Sequence, residues 1–196
     1  MEKIFYFDCE TTGVLSYRNA IIQLGAIITY NDKIVDTLNL KFQPHTGASV
    51  HEAALRVNGI TRDTLKTFMP AIEGYIAFKK FLDKHIDRFD KNDKLTISGF
   101  NVRFDLDFIT EFFNRFNQDR YGLGCYFNWI IVDPLPVLHF LSCMGLIKLP
   151  NYKLQTCCNH FNIPLDNAHD ALADVQATRQ LVKCLQSKIQ EGDIRI

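Results

Sequence analysis

The sequence predicts an α/β protein: a mixed five-stranded sheet, its first three strands antiparallel, flanked by helices. Two observations predict it. Short apolar and alternating runs fill the first third of the 196 residues, and apolar spacing of three and four residues takes over afterwards. Between the helical stretches short strands recur, the order expected of a sheet with helices packed on it.

The elements follow in order. Residues 3–8 (KIFYFD) are apolar and aromatic, and residues 21–30 (IIQLGAIITY) are β-branched, so both read as strands. Residues 33–43 alternate, with Ile34, Leu38, Leu40 and Phe42 apolar. Asn31-Asp32 makes a tight turn between the last two, which gives an antiparallel meander. After Pro70, the spacing of Ile72, Tyr75, Phe78, Leu82, Ile86 and Phe89 predicts a helix. Residues 95–98 form a short strand, Leu106, Ile109, Phe113 and Phe116 mark another helix, and residues 130–132 a last strand. Helices are expected over 134–144, 153–161 and 171–188, the last with Ala171, Val175, Thr178, Val182 and Leu185 on one face.

Composition bounds the function. With 16 Phe and 47% hydrophobic residues the chain can bury a core, which excludes dominant disorder. One domain spanning 1–196 is expected, large enough to fold without disulfide or metal. The 22 Lys+Arg balance 22 Asp+Glu, which excludes a protein that holds nucleic acid mainly by counterion release. If the chain handles phosphates, metal ions or a local patch must do it. Residues 79–94 carry six basic and four acidic residues of alternating sign and read as a solvated helix face. The six cysteines (Cys9, Cys125, Cys143, Cys157, Cys158, Cys184) include no C-x-x-C pair and are expected to be free thiols. No apolar run approaches the roughly 18 residues of a membrane span, and no signal-peptide pattern opens the chain. A cytoplasmic location without a membrane partner is expected.

Three acidic clusters carry the chemistry. Asp8 and Glu10 stand at the end of the first strand, in Phe7-Asp8-Cys9-Glu10-Thr11-Thr12-Gly13. Positions i and i+2 of a strand share a face, so two acids project together, which is costly without a cation or proton between them. Asp105 opens a helix in Asn101-Val102-Arg103-Phe104-Asp105, while Asp107 should turn away to solvent. His169 and Asp174, in His169-Asp170-Ala171-Leu172-Ala173-Asp174, are five residues apart and diverge by about 140° on a continuous helix. They converge if His169 lies in the loop before the helix, and residues 162–167 with Pro164 supply such a loop. Asp170 is expected to face away. Four hard oxygen ligands suit two Mg²⁺ or Mn²⁺ ions, which can clamp the attacking and leaving oxygens of a phosphoryl displacement. An imidazole can take a proton from the attacking water.

The three motifs, in this order, resemble those of the DEDD exonucleases in the subgroup whose fifth residue is His (DEDDh, or DnaQ-like). The resemblance extends from Lys3 to about Leu185, and residues 51–61 (HEAALRVNGIT) and 149–161 (LPNYKLQTCCNHF) are similar to the proofreading subunit of bacterial DNA polymerase III. It implies a ribonuclease H-like fold and release of nucleoside 5′-monophosphates from 3′ ends with two metals. Asp8, Glu10 and Asp174 would hold the first metal, Asp8 and Asp105 the second, and His169 would act as general base. Thr11 and Thr12 would sit near the terminal nucleotide, with Asn101 and Phe104 near the strand. Val102 and Arg103 stand where small residues are common, and Phe100 replaces a frequent His. The expected substrate is the 3′ end of DNA, single-stranded or frayed, in preference to RNA. A tail that grips the polymerase is not expected, so the chain reads as stand-alone or as meeting a DNA polymerase through its domain surface. The rival readings are an exoribonuclease resembling oligoribonuclease or ribonuclease T, and a non-catalytic nucleic-acid-binding module. The complete set of site residues weighs against the second.

Overall fold

The structure, a computed structural model, describes residues 2–166 and 168–192. Strands β1 (Lys3–Thr11), β2 (Ile21–Tyr30) and β3 (Lys33–Lys41) form the meander. Short helices α1 (Glu52–Val57) and α2 (Arg62–Lys66) and the longer α3 (Ala71–His85) follow. Then come β4 (Leu95–Ser98), α4 (Val102–Phe116), β5 (Phe127–Val132), α5 (Pro134–Cys143), α6 (Leu154–His160) and α7 (Ala171–Gln190). The sheet order is β3-β2-β1-β4-β5, with β1 antiparallel to β2 and parallel to β4. The expected five-stranded mixed sheet is therefore present. The chain leaves β1 toward β2 and β3, then returns on its other side as β4. Such a reversal beside the carboxyl end of a strand is where open α/β sheets bind ligands.

The turn between β2 and β3 forms as expected, because Asn31 and Asp32 both adopt positive φ (45° and 66°), matching the twist of the hairpin. Four expectations shift. Strand β1 continues past Asp8 to Thr11, so Asp8 and Glu10 stand near its end, as expected, but still inside its ladder, opposite Gly25 and Gln23. Helix α3 stops at His85, where Ile86 turns extended (φ −131°), leaving Phe89 71% exposed. Its buried stripe is Tyr75, Phe78, Phe81 and Leu82, and Ile72 faces outward. Strand β5 begins at Phe127, and Trp129 at φ 62° breaks its register with β4, which hides its first half from any period of two. Helices α1 and α2, six and five residues long, are too short to show a period.

Side chains of β1 divide between two layers. Phe5, Phe7 and Cys9 meet Phe78 of α3 and Ile109 and Phe113 of α4, and each fully buried Phe contributes about 2 kcal/mol. Ile4 and Tyr6 face the other way and pack with Val175 of α7. A further cluster of Leu138, Leu141, Cys157, Cys158 and Leu181 binds α5 and α6 to α7. All six cysteines are free, as expected. Of the charges of 79–94, expected on one helix face, only those up to His85 lie on α3, where Lys79 pairs with Asp83 (2.8 Å), while Arg88 beyond it reaches Asp119 (2.6 Å).

Candidate active site

Alternation along β1 sends Asp8 and Glu10 to the α7 side. Gly25, directly opposite Asp8, lets the start of α7 rest on the sheet there. A Cβ at Gly25 would lie 2.5 Å from the carbonyl carbon of Ala171 and 2.6 Å from the nitrogen of Leu172. Asp170 caps α7 by accepting from the Ala173 N–H (3.3 Å). Its other oxygen accepts from Gln23 Nε2 (2.9 Å) and lies 3.7 Å from Lys41 Nζ. Asp170 is thus a corner post: it stays out of the cleft lining, but its carboxylate is turned to the sheet.

His169 occupies the entering loop at φ 70°, and its N–H donates to Asp174 Oδ2 (3.3 Å). This left-handed turn lets residues five apart share one side, as the sequence required. The expected loop over 162–167 includes Asn162 at φ 56°, and Asn167 lies outside the described residues.

Asp105 arrives from the other layer. Asn101 adopts φ 55°, and the N–H groups of Asn101 and Val102 donate to Asp133 (3.1 and 3.0 Å), which also caps α5. In the first turn of α4, Asp105 accepts from the Cys9 N–H (3.0 Å), between Asp8 and Glu10 on β1. Asp107 is exposed, as expected.

Asp8, Glu10, Asp105, His169 and Asp174 consequently line one cleft of about 540 Å³, together with Asn101 and Phe104. Glu10, His169 and Asp174 each bring a ligand atom to within 4.8 Å of the others'. Asp8 and Asp105 stand outside this tightest trio. Thr11 and Thr12 do not line the cleft. The Thr11 hydroxyl donates to Gly13 O (2.7 Å), and that of the fully buried Thr12 donates to Ser49 O (2.7 Å) and accepts from the Ala20 N–H (2.9 Å). They staple the loop after β1.

The acids repel one another. Burial, then Asp174 and Asp170, pushes Asp8 up to about 8. Burial, then Asp8 and Asp174, pushes Glu10 up to about 9, with Lys41 opposing. Burial and Asp8 hold Asp105 well above the carboxylate range despite the Cys9 N–H, and burial raises Asp174 despite His169. Among the described residues, Asp174 Oδ1 is buried without a hydrogen-bond partner. An orphaned carboxylate oxygen beside hard oxygen donors and an imidazole fits a divalent cation.

Sequence reasoning gave no site role to Tyr152, Lys153, Leu154 and Gln155, which also line the cleft. The signal was their place at the start of α6, inside a segment noted only for its resemblance.

A mixed sheet whose central strand offers paired acids, completed by an acid from the last helix and a histidine from the loop entering it, defines a nuclease of ribonuclease H-like architecture. The chain belongs to the exonuclease (RNase T) family, whose model matches residues 5–182. It is 27% identical over 192 residues to the PolC-type DNA polymerase III of Bacillus cereus, covering 97% of this chain and 12% of that one. For the PolC-type enzyme of Halalkalibacterium halodurans the identity is 30% over 189 residues, covering 96% and 12%. The chain thus spans about an eighth of the length of these relatives. Among solved structures it resembles E. coli exonuclease I in complex with a dT13 oligonucleotide, with a TM-score of 0.78 and 22% identity over 98% of this chain and 43% of that one. The zinc-ion-bound exonuclease I–ssDNA complex gives a TM-score of 0.77 at 22% identity, covering 99% and 42%. These structures establish the fold, and the polymerase III relatives bear out the resemblance read from the motifs. Among the described residues no helix is long and apolar enough to cross a membrane.

Proposed function

We propose that residues 1–196 act as one 3′–5′ exonuclease unit that releases nucleoside 5′-monophosphates from the 3′ end of single-stranded or frayed DNA. The observation that carries this reading is the convergence of Asp8, Glu10, Asp105, His169 and Asp174 on one cleft, with Asp174 Oδ1 left unpaired. Asp8, Glu10 and Asp174, with Asp105 across from them, would hold two Mg²⁺ or Mn²⁺. When bound, the ions supply charge neutralisation at the scissile phosphate and lower the pKa of the attacking water. His169 is the exposed member of the trio, suited to take a proton from that water and return it to solvent. Glu10 is 7% exposed and faces the same point, where it orients the water.

Phe104, half-buried against Phe108 (4.9 Å between ring centroids), lines the cleft and offers a stacking surface worth about 1–3 kcal/mol per base. Thr11 and Thr12 would act by fixing the loop after β1 near the terminal nucleotide, since their hydroxyls are spent in holding it. The polymerase relatives and the DNA-bound exonuclease I structures support DNA over RNA, a polymerase as partner, and a cytoplasmic setting.

Labelled single-stranded DNA and RNA of equal length, incubated with Mg²⁺ and with chelator, test the proposal. Mononucleotide release from the 3′ end of DNA, stopped by chelator, is expected, and circular single strands should survive. A kcat/KM for RNA tenfold above that for DNA would turn the reading to the exoribonuclease, and rapid cutting of circles would make it an endonuclease.

A further inference from the structure

The cleft is lined by acids, yet the strand it would receive is itself a polyanion. Among the described residues lining it, Lys153 is the one permanent cation, and His169 is the only other basic group. The backbone of Lys153 is fixed. Its N–H donates to Asn151 Oδ1 (3.1 Å), which also accepts from Thr156 Oγ1 (2.7 Å), so the chain is locked just ahead of α6. Neighbouring Tyr152 packs edge-on against His139 of α5 (4.7 Å). The ammonium end is not committed. Lys3, Lys79, Lys84 and Lys183 all hold carboxylates, whereas Lys153 is exposed and holds none among the described residues. The cation that offsets Glu10 is Lys41, not Lys153.

Lys153 comes from a different segment of the chain than the acids and is within ion-pair distance of none of them, which sets it apart from the phosphate they address. We infer that Lys153 takes the next phosphodiester, one link to the 5′ side of the bond being cut. The cleft then reads two successive phosphates, and chains of three nucleotides or more are its better substrates. This rests on the exonuclease reading above and adds a length preference to it.

The test compares four substrates: the p-nitrophenyl ester of thymidine 5′-monophosphate, a dinucleotide, a trinucleotide and a 12-mer DNA. The ester and the dinucleotide have no second phosphodiester. Lys153→Ala should lower kcat/KM about tenfold on the trinucleotide and 12-mer, the scale of one exposed charge-assisted hydrogen bond. It should leave the ester and dinucleotide unchanged. The salt slope of kcat/KM on the 12-mer should flatten by about 0.7, the share of one phosphate contact on a single strand. Lys153→Arg should restore most of the loss, and Lys148→Ala, an exposed lysine of the same segment outside the cleft, should cost nothing. An equal loss on all four substrates, or no loss on the 12-mer, overturns the inference. A wild-type chain inactive on all four overturns the exonuclease reading, and the inference falls with it.

Discussion

The two ends of β1 carry the same kinds of groups in opposite condition. At its start, Lys3 binds Asp93, and Tyr30, His85, Lys84 and Asp36 form a continuous clasp. Burial alone would raise Asp36, but hydrogen bonds from Lys84, His85 and the Thr37 N–H outweigh it and hold it below its usual value. Asp93 is held down in the same way by Lys3 and the Asp87 N–H. At the far end, Asp8, Glu10, Asp105 and Asp174 face one another and all are raised. One end gives each acid a partner from the chain. The other withholds it, and the stability forgone there marks the place where a cation and a phosphate belong.

The largest expected effect breaks the far end only. Asp8→Ala or Asp174→Ala should abolish turnover while leaving the fold intact, and Tm in chelator should hold or rise because repulsion is relieved. Asp36→Ala at the clasp should do the reverse, lowering stability by about 1–2 kcal/mol with activity retained. Nuclease assays beside thermal melts of all three separate the two outcomes.

His169→Ala comes next, with a loss in kcat of roughly 10²–10⁴. Its pH–rate profile should lose the acid limb, and an unchanged limb in a variant that still turns over would assign the proton to another group.

Gly25→Ala should cost about 1–3 kcal/mol of stability, since its Cβ meets the backbone of Ala171 and Leu172. Because that contact sets α7 against Asp8, activity should fall further than the melt alone accounts for. Activity equal to wild type at a temperature where both are folded would show that this spacing is slack.

The pH dependence sharpens the comparison. A carboxylate raised in the folded state binds its proton more tightly there, so its contribution is present below its unfolded value and lost as pH rises through the folded one. For Asp8 and Glu10 that window runs from their ordinary values of 3.8 and 4.5 to about 8 and 9. In chelator, Tm should therefore fall between about pH 5 and 9, and Mg²⁺ or Mn²⁺ should flatten the slope. The clasp acids, held low, act in the opposite sense and only at more acid pH. A chelated protein whose Tm is level from pH 5 to 9 would mean the acids are not strained.

The smallest effect is Asp170→Asn, which keeps a capping oxygen and should change activity only a few-fold. Asp170→Ala, which removes the cap and the Gln23 contact together, should cost about 1 kcal/mol.

Much of this was legible in the residues themselves. Period and turn chemistry located the meander, because Asn31-Asp32 is a local signal that needs no tertiary context. The same is true of the i, i+2 acids and of the loop before His169. What escaped depends on contacts distant in sequence. Asp170 looked idle because its partners Gln23 and Lys41 lie 147 and 129 residues away. The resemblance set Thr12 near the terminal nucleotide, and nothing local shows that Ser49 and Ala20 engage its hydroxyl. Lys153 carried no motif at all, and only the fold sets it on the cleft wall.

The central claim is that the far end of β1 lacks cations that the chain does not supply. Calorimetric titration of Mn²⁺ into chelator-stripped protein tests it most directly. The account predicts two ions per chain, with binding lost or reduced to one ion in Asp8→Ala and unchanged in Asp36→Ala. Absence of Mn²⁺ binding to the wild type, or binding that survives undiminished in Asp8→Ala, would contradict it.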